Sequence, residues 1–392
     1  MGDQLLPENT LAELYQISRI TTRQALAQLE RDGLISRNLE PECRKALTTP
    51  EIFSIQRIVL TGCGDSHAAA MAVRYAFEAL TGIPTEVVPA IELSRYYSES
   101  QLGFAPHNPL VIAVSNSGGI ARVSEAIQRA VAHGAFALGV TGNPDSPLGR
   151  CASRILPLSV PPFESAPGTR SYLVSLLALL LLAIRFGEVR GRYTMDQAMD
   201  YRADLLAQAD ALERALPAMD EQIKRLAGEW KDLEAFDFIG AGPDYAAAWF
   251  GQAKIYEAVG RYAMCINTEE WLHMNFFMKN VEKIGTVLVC AGGSPAASRA
   301  LELAGYAGRD MGRPLLAVTS GENRFDQGTC QAVLTPETRY AHSGVLSQFA
   351  PLCLLAGYLG EFLGEEDGRG CKGPWAFAQG GRGITQSEII VK

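Results

Sequence analysis

The sequence has no Cys-x-x-Cys pair, no excess of positive charge and no apolar run long enough to cross a membrane. Its eight cysteines show no disulfide-like clustering, which is typical of a reduced, intracellular protein. The 35 Lys and Arg against 43 Asp and Glu give a net charge of −8, which disfavours nucleic acid or an anionic membrane as the main partner. The longest apolar run, residues 172–184, has 13 residues, whereas a membrane-spanning helix needs about 20. A buried helix is therefore expected there.

No charged and then apolar stretch follows Met1, so a secretory leader is not expected. We therefore expect a cytoplasmic protein without membrane association. The composition, 47% hydrophobic and 20% charged, predicts a large core and disfavours disorder. A length of 392 residues predicts two or three domains, since a domain usually holds roughly 100 to 200 residues.

From residue 55 onward, short apolar runs alternate with helical repeats, which is the pattern of a doubly wound parallel sheet. The first set of strands and helices is predicted at residues 58–60, 68–80, 110–114, 121–133 and 137–140. The same order returns about 178 residues later, at residues 236–239, 245–259, 286–290, 296–310 and 315–318. The repeat predicts an α/β fold of two flavodoxin-like modules in tandem.

These patterns also predict the domain organisation. A short helical extension is expected at residues 1–40 and the first α/β module at 55–190. A helical linker at 191–226 then leads to the second module at 227–392, which ends in a Gly-rich tail.

Two turns rich in glycine and serine each lie between a predicted strand and a predicted helix. They are Gly-Cys-Gly-Asp-Ser at residues 62–66 and Ser-Asn-Ser-Gly-Gly at residues 115–119. Neither is a Walker loop, since no Gly-Lys-Ser/Thr follows, and His67 stands where the third glycine of a dinucleotide fingerprint would fall. One such turn alone could be a turn without a ligand.

Two such turns at one sheet edge favour a ligand site, because helix N-termini attract anions and open α/β sheets bind ligands at their carboxyl edge. The donors are neutral and include no lysine, which suits a phosphate that is held and not transferred. The residues predicted to bind it are Gly64, Ser66, Ser115, Asn116 and Ser117.

Residues 59–97 and 111–126 resemble the first SIS (sugar isomerase) domain in the isomerase half of glucosamine-6-phosphate synthase, and the second module resembles its second SIS domain. The most specific likeness is Gly-Gln-Ala-Lys-Ile-Tyr-Glu at 251–257, followed by Glu-Glu-Trp-Leu-His at 269–273. In the family, a Lys and a Glu three residues apart and a His sixteen residues after the Glu belong to the sugar site. Lys254, Glu257 and His273 match this spacing. The resemblance implies a phosphosugar ligand and a homodimer, in which His from one subunit approaches the other's site.

The chemistry of these three residues is consistent with that implication. Lys254 and Glu257 are neighbours on one helical face, so a cation and a carboxylate can be presented together. Glu257 could move a proton between C1 and C2 of an opened ketose derivative, and His273 could open the sugar ring. The alternative interpretation is a surface ion pair and a core histidine.

The sequence also departs from the synthase. Gly119 and Ile120 replace a Glu and a Thr of its phosphate loop, and Gly168 and Arg170 replace a Ser and a Lys. The lysine that forms a Schiff base in the synthase falls at Ser387. The nucleophilic Cys of a glutaminase module is absent as well, so we do not expect a complete glutamine-dependent synthase.

The fructosamine-6-phosphate deglycases keep the family's Glu and His and split fructosamine-type phosphates into glucose 6-phosphate and an amine. We therefore expect a ketosamine or amino-sugar 6-phosphate deglycase, isomerase or deaminase, with no cofactor and no metal.

Residues 6–14, 18–26 and 30–35 resemble the middle of a GntR-type winged helix, without its first helix or its wing. Residues 1–37 hold four Arg against five Asp and Glu, so DNA binding is not expected. Two alternatives to an enzyme remain at this point. One is a sugar-phosphate-sensing transcriptional regulator with non-catalytic SIS domains, and the other is a non-catalytic ligand-binding partner of another enzyme.

Overall fold

The computed structural model describes residues 39–103, 109–160, 168–326, 328–365 and 383–391. The GntR-like residues 1–37 and most of the Gly-rich tail lie outside these ranges. Two short helices, α1 (Glu40–Ala46) and α2 (Thr49–Ser54), precede the first module. Its elements are β1 (Ile58–Gly62), α3 (Asp65–Thr81), β2 (Thr85–Val87), α4 (Ala90–Arg95), β3 (Leu110–Val114), α5 (Ala121–Ala132), β4 (Phe136–Thr141), α6 (Pro147–Cys151) and β5 (Arg154–Pro157).

Two long helices, α7 (Thr169–Val189) and α8 (Met195–Trp230), connect the modules. The second module consists of β6 (Ala235–Gly240), α9 (Pro243–Ala258), β7 (Tyr262–Asn267), α10 (Thr268–Met274), β8 (Ile284–Val289), α11 (Ala297–Ala304), β9 (Leu315–Ser320), β10 (Gln331–Thr335) and α12 (Phe349–Phe362). A π-helical turn, Gly305–Asp310, extends α11. The helix expected over residues 296–310 is therefore an α-helix up to Ala304 and a π-helix from Gly305.

Both sheets are parallel and have the same strand order. The first sheet runs β2-β1-β3-β4-β5, and the second runs β10-β9-β8-β6-β7, which is the same order read from the other edge. The central strands β3 and β8 are buried along their whole length, because helices cover both faces of each sheet. The prediction of two doubly wound modules in tandem is confirmed.

One hydrophobic core spans the two modules. It joins residues of both sheets to apolar side chains of α3, α7, α9 and α12. Helix α7 and the helical stretch Ala341–Phe362 are long and apolar enough to cross a bilayer, but 83% of each apolar window is buried inside the fold. The apolar run at residues 172–184 thus belongs to a core helix, as expected, but the burial of the 21-residue helix shows this and its length does not.

The strand registers relate the modules residue by residue. Gly62 and Gly240 end the first strand of each sheet, and each is followed two residues later by a glycine with positive φ. Those glycines, Gly64 and Gly242, have φ of 57° and 59°. This matched backbone makes Ser66 the counterpart of Asp244.

Candidate functional site

The first glycine-rich turn places the N-terminus of α3 at the carboxyl edge of the first sheet. At Gly62 any side chain would collide with the helix, because a Cβ would lie 2.9 Å from the backbone carbon of Ser66. Gly64 supplies the positive φ that the turn requires, and no side chain caps the helix. Ser66 is half-buried in the first helical turn, beside Asp65. An uncapped helix N-terminus of this kind attracts an anion.

The second loop, at residues 115–119, lies beside it on the neighbouring strand. Ser115 is buried, and its Oγ accepts a hydrogen bond of 3.2 Å from the Gly118 backbone N–H. Ser117 is exposed, and its Oγ accepts from Gly119 at 3.3 Å. The buried Asn116 Oδ1 has no hydrogen-bond partner among the described residues. Both serine hydroxyls therefore order the loop as acceptors, and each keeps its O–H as a donor for a ligand.

Gly118 shows why the loop needs glycine. Its φ is +64°, and a Cβ there would lie 1.9 Å from the Ser146 Oγ. Helix α5 follows without a side-chain cap at Ile120. Two uncapped helix N-termini therefore face the same edge of one sheet, as the sequence pattern predicts.

The predicted Lys254–Glu257 pair forms part of a three-residue cluster. The Lys254 Nζ lies 2.5 Å from Glu257 Oε2 and 2.9 Å from Asp65 Oδ2. The Lys254 side chain is only 3% exposed, whereas that of Glu257 is 40% exposed. The cluster thus joins α9 of the second module to the first turn of α3, directly beside Ser66.

Electrostatics distinguish the members of this cluster. Burial alone would lower the pKa of Lys254, but the carboxylates of Asp65 and Glu257 outweigh it and hold the pKa above its usual range. Burial raises the pKa of Glu257; Lys254 opposes that rise and Asp65 adds to it. The site therefore holds a fixed ammonium next to a carboxylate with raised proton affinity, which is the property of a general base.

His273 lies on α10 and is 69% exposed. Its Nε2 is 3.6 Å from Glu269 Oε1, so the carboxylate beside it is that of Glu269 and not that of Glu257. Beside it, a pair of aromatic side chains, Phe276 and Phe277, is more than half exposed. The structure therefore unites Lys254 and Glu257 but leaves His273 on an open, partly apolar surface.

A buried polar network fixes the helix that carries His273. Trp271 Nε1 donates to Asp237 Oδ2 at 3.1 Å, and Arg313 donates to the same oxygen at 2.6 Å. Arg313 also donates to Asn275 Oδ1 at 2.9 Å. The sequence pattern does not reveal this network, because its members lie far apart in the chain.

The C-terminal segment returns to the first module near the second loop. Arg122, in the first turn of α5, donates to Ser387 Oγ at 3.0 Å and to the Glu388 carbonyl. The buried Glu125 accepts from Arg122 at 2.5 Å and from the Ile390 backbone N–H at 2.8 Å. Ser387, where the synthase has its Schiff-base lysine, is thus held at α5.

Sequence reasoning missed Asp65 and the role of Gly168. Asp65 is part of the first glycine-rich turn, but its partner lies 189 residues away. Gly168, which the resemblance to the synthase aligns with a serine, lies so close that a Cβ there would be 1.7 Å from Asp65 Oδ2. Within the described ranges, no group of three or more His, Cys, Asp or Glu could hold a metal ion.

Comparisons with protein families match the first module and the N-terminal residues. Residues 51–185, most of the first module, match the SIS domain family. Residues 1–39 match the gntR family of bacterial regulatory proteins.

The chain is similar to glutamine–fructose-6-phosphate aminotransferase (isomerizing) of Gloeobacter violaceus. The two are 30% identical over 237 residues, which cover 58% of this chain and 38% of that protein. The enzyme of the same name from Clostridium tetani is 29% identical over 211 residues, 54% of this chain and 34% of that protein. The chain therefore matches only about a third to two fifths of the length of these curated relatives.

Solved structures extend the likeness over both modules. The C-terminal domain of glucosamine-fructose-6-phosphate aminotransferase from Francisella tularensis has a TM-score of 0.72 and 17% identity, covering 87% of this chain and 97% of that one. Glucosamine-6-phosphate deaminase from Thermotoga maritima has a TM-score of 0.58 and 16% identity, covering 87% and 96%. These likenesses show a shared fold, and the predicted resemblance to SIS proteins is confirmed.

Proposed function

We propose that the protein is an enzyme that acts on a ketosamine or amino-sugar 6-phosphate. The observation that carries this proposal is the cluster of Asp65, Lys254 and Glu257 beside the anion-binding loops. A phosphate held at Ser66 and residues 115–117 would leave the sugar chain next to Glu257. The similarity to an aminotransferase and a deaminase of sugar 6-phosphates supports the same substrate class.

In this proposal Glu257 is the general base. It takes a proton from C1 of the open-chain ketosamine and returns it to C2, while the proton on the amine nitrogen passes to the C2 oxygen. The C2 carbonyl thereby becomes a hydroxyl, and the C1–N bond becomes an imine. Water then hydrolyses the imine to an aldose 6-phosphate and a free amine. With a simple ketose, the same proton transfer gives an aldose. A positioned base contributes about 10²- to 10⁴-fold to such a step.

Lys254 orients Glu257 and the sugar oxygens, and His273 opens the cyclic form of the substrate. We infer that His273 acts in the site of a second copy of the chain. Its exposure and the neighbouring exposed Phe276 and Phe277 support a homodimer that covers this surface.

A substrate panel tests the reaction. The protein is incubated with fructose 6-phosphate, glucosamine 6-phosphate and several fructosamine 6-phosphates, with the Glu257→Gln variant as control. Glucose 6-phosphate with free amine indicates a deglycase, ammonia a deaminase, and glucose 6-phosphate from fructose 6-phosphate an isomerase. No product from any of them would contradict the proposal.

Mixing two inactive variants tests the shared site. If His273 serves the partner's site, heterodimers of Glu257→Gln and His273→Asn contain one intact site, and random mixing recovers about a quarter of wild-type activity. If mixing recovers no activity, His273 does not act across the dimer.

The gntR match supports a second candidate, a phosphosugar-responsive transcriptional regulator. The discriminating experiment is a gel shift with the DNA upstream of the protein's own gene. Because residues 1–37 carry a net charge of −1, from four Arg and five Asp and Glu, we expect no specific shift at physiological salt. A salt-sensitive specific shift would favour the regulator.

A further inference from the structure

Lys254 is shared between carboxylates from two different modules. Its Nζ contacts Asp65 Oδ2 at 2.9 Å and Glu257 Oε2 at 2.5 Å. The lysine and the glutamate belong to the SIS-type sugar site, but the aspartate has no role in the reaction proposed above. One Asp65 oxygen, Oδ1, is buried without a hydrogen-bond partner among the described residues. A buried carboxylate oxygen without a hydrogen bond lowers stability, so its presence needs a structural or functional reason.

The chain leaves room for Asp65 at Gly168. This residue precedes α7, has φ of +25°, and lies so close that a Cβ would be 1.7 Å from Asp65 Oδ2 and 3.4 Å from Lys254 Nζ. Any other residue at 168 would push the carboxylate away from the ammonium. Gly168 is therefore fitted to the ion pair between Asp65 and Lys254.

We propose that Asp65 is a positioning residue, whose carboxylate anchors Lys254 across the two modules and thereby sets how strongly Lys254 engages Glu257. This inference rests on the proposed function, in which Glu257 is the base. With Asp65 in place, the ammonium is divided between two carboxylates. Without Asp65, the ammonium would interact with Glu257 alone. It would then stabilise the Glu257 carboxylate more strongly and make it a weaker base.

Glu257 interacts with Lys254 on α9, Asp65 on α3 and Cys353 on α12. Tyr172 on α7 interacts with Asp65 and Cys353, and His67 lies two residues after Asp65 on α3. Burial raises the pKa of Cys353 to about 12 and also raises that of Tyr172, and burial lowers the pKa of His67. These three groups therefore stay neutral near pH 7. The pKa of Glu257 is set mainly by burial, by Lys254, which lowers it, and by Asp65, which raises it.

The test measures the Glu257 carboxyl directly, by carbon-13 NMR titration of the full-length protein. Glu257→Gln assigns the signal by its disappearance. In Asp65→Asn we expect the pKa of Glu257 to fall, because the nearby negative charge that favoured its protonated form is gone. Asp65→Glu restores the charge and should move the pKa back upward. An unchanged or higher pKa in Asp65→Asn, or an Asp65→Glu variant that behaves like Asp65→Asn, would overturn the proposal.

A pair of glycine variants provides an independent test by geometry. Gly168→Ala forces the Asp65 carboxylate away, whereas Gly191→Ala introduces a similar backbone conflict, φ +67°, with no atom within 4 Å of its Cβ. We expect Gly168→Ala to lower kcat by about 10²-fold, the loss typical of a displaced catalytic group, and to lower the Glu257 pKa. Gly191→Ala should leave both unchanged. Equal effects of the two variants would mean that backbone strain, and not the displaced Asp65 carboxylate, causes the changes in kcat and in the pKa of Glu257.

The two proposals fail separately. If Glu257→Gln retains wild-type turnover, the proposed function is wrong, yet the NMR titration still decides the role of Asp65. If Glu257→Gln is inactive while Asp65→Asn leaves the pKa of Glu257 unchanged, only the role proposed for Asp65 is wrong.

Discussion

The two modules share one strand order but differ at the loops where an anion would bind. Ser66 of the first module corresponds to Asp244 of the second, and Ser115, Asn116 and Ser117 correspond to Cys290, Ala291 and Gly292. The second module thus lacks the hydroxyl and amide donors of the first.

Asp244 also fills the position that an anion would occupy. Its Oδ2 accepts a hydrogen bond of 3.2 Å from the Ala291 backbone N–H, and its Oδ1 accepts one of 2.6 Å from Gln348. A built-in carboxylate therefore satisfies these donors in the second module. In the proposed function the two modules therefore differ in role: the first would bind the phosphate at its loops, and the second would supply Lys254, Glu257 and His273.

The largest effect is expected for Glu257→Gln in the second module. The change keeps the size of the side chain but removes its basicity, so kcat should fall about 10²- to 10⁴-fold with little change in KM. Steady-state kinetics on the substrate found by the panel measures this. The matched control is Glu302→Gln, which removes an exposed i, i+3 partner of Arg299 and should leave kcat unchanged. Wild-type turnover in Glu257→Gln would show that the second module does not supply the general base.

A large loss of stability is expected for Arg313→Met. Arg313 has no counterpart in the first module, where the strand registers place Ala135 at the equivalent position. The change leaves the buried Asp237 without its ion partner, so the free energy of unfolding should fall by about 3 to 5 kcal/mol. Urea denaturation measures it.

Arg299→Met is the control for that experiment. It breaks an exposed pair with Glu269, and such a pair contributes little to stability because water screens the two charges. If both variants lose the same small amount of unfolding free energy, the buried network of Arg313 does not stabilise the position of α10.

The double change Ser115→Ala and Ser117→Ala should weaken binding of a phosphosugar about tenfold or more, since hydrogen bonds to charged groups contribute about 1.5 to 3 kcal/mol each. Calorimetry with glucose 6-phosphate measures the affinity, and circular dichroism checks that the fold is kept. Ser294→Ala, in the corresponding loop of the second module, should bind like wild type. Unchanged affinity in the double variant would place the phosphate elsewhere.

The smallest effect is expected for Asp244→Asn. Burial raises the pKa of Asp244 in the folded protein, so the folded state binds its proton more tightly than the unfolded state does. Stability from this group is therefore present at low pH and is lost as pH rises from about 3.9, the unfolded value, through the folded pKa. Asp244→Asn loses one acceptor oxygen at every pH, so the expected result is a change with pH: its melting temperature relative to wild type should be higher at pH 7 than at pH 4. A melting-temperature difference that stays constant with pH would mean that the pKa of Asp244 is not raised in the folded protein.

The sequence predicts the central strands and fails at the sheet edges, for a physical reason. Strand β3 is a continuous apolar run because it is buried on both faces, and its bounds are predicted correctly as residues 110–114. The edge strands β2, β5, β7 and β10 are short or mixed in polarity, because an edge strand has only one neighbour and more contact with solvent. Their residues therefore carry a weaker pattern.

At the candidate site, local spacing pairs Lys254 with Glu257, since both lie on one helical face. Nothing local pairs either residue with Asp65, whose place depends on how α3 and α9 pack. The fit of Gly168 over that carboxylate depends on the same packing. Contacts within one element can be predicted from sequence, whereas contacts made by packing two modules need the structure.

The hydrophobic core that runs through both modules has a consequence for how the molecule melts. Helices α3, α7, α9 and α12 contribute to a single core together with both sheets, so cutting the chain between the modules would expose a large apolar face on each half. Neither half should be recoverable as a stable fragment, and calorimetry should show one cooperative transition for the whole molecule. The repeated module would then be a unit of architecture and not a unit of folding.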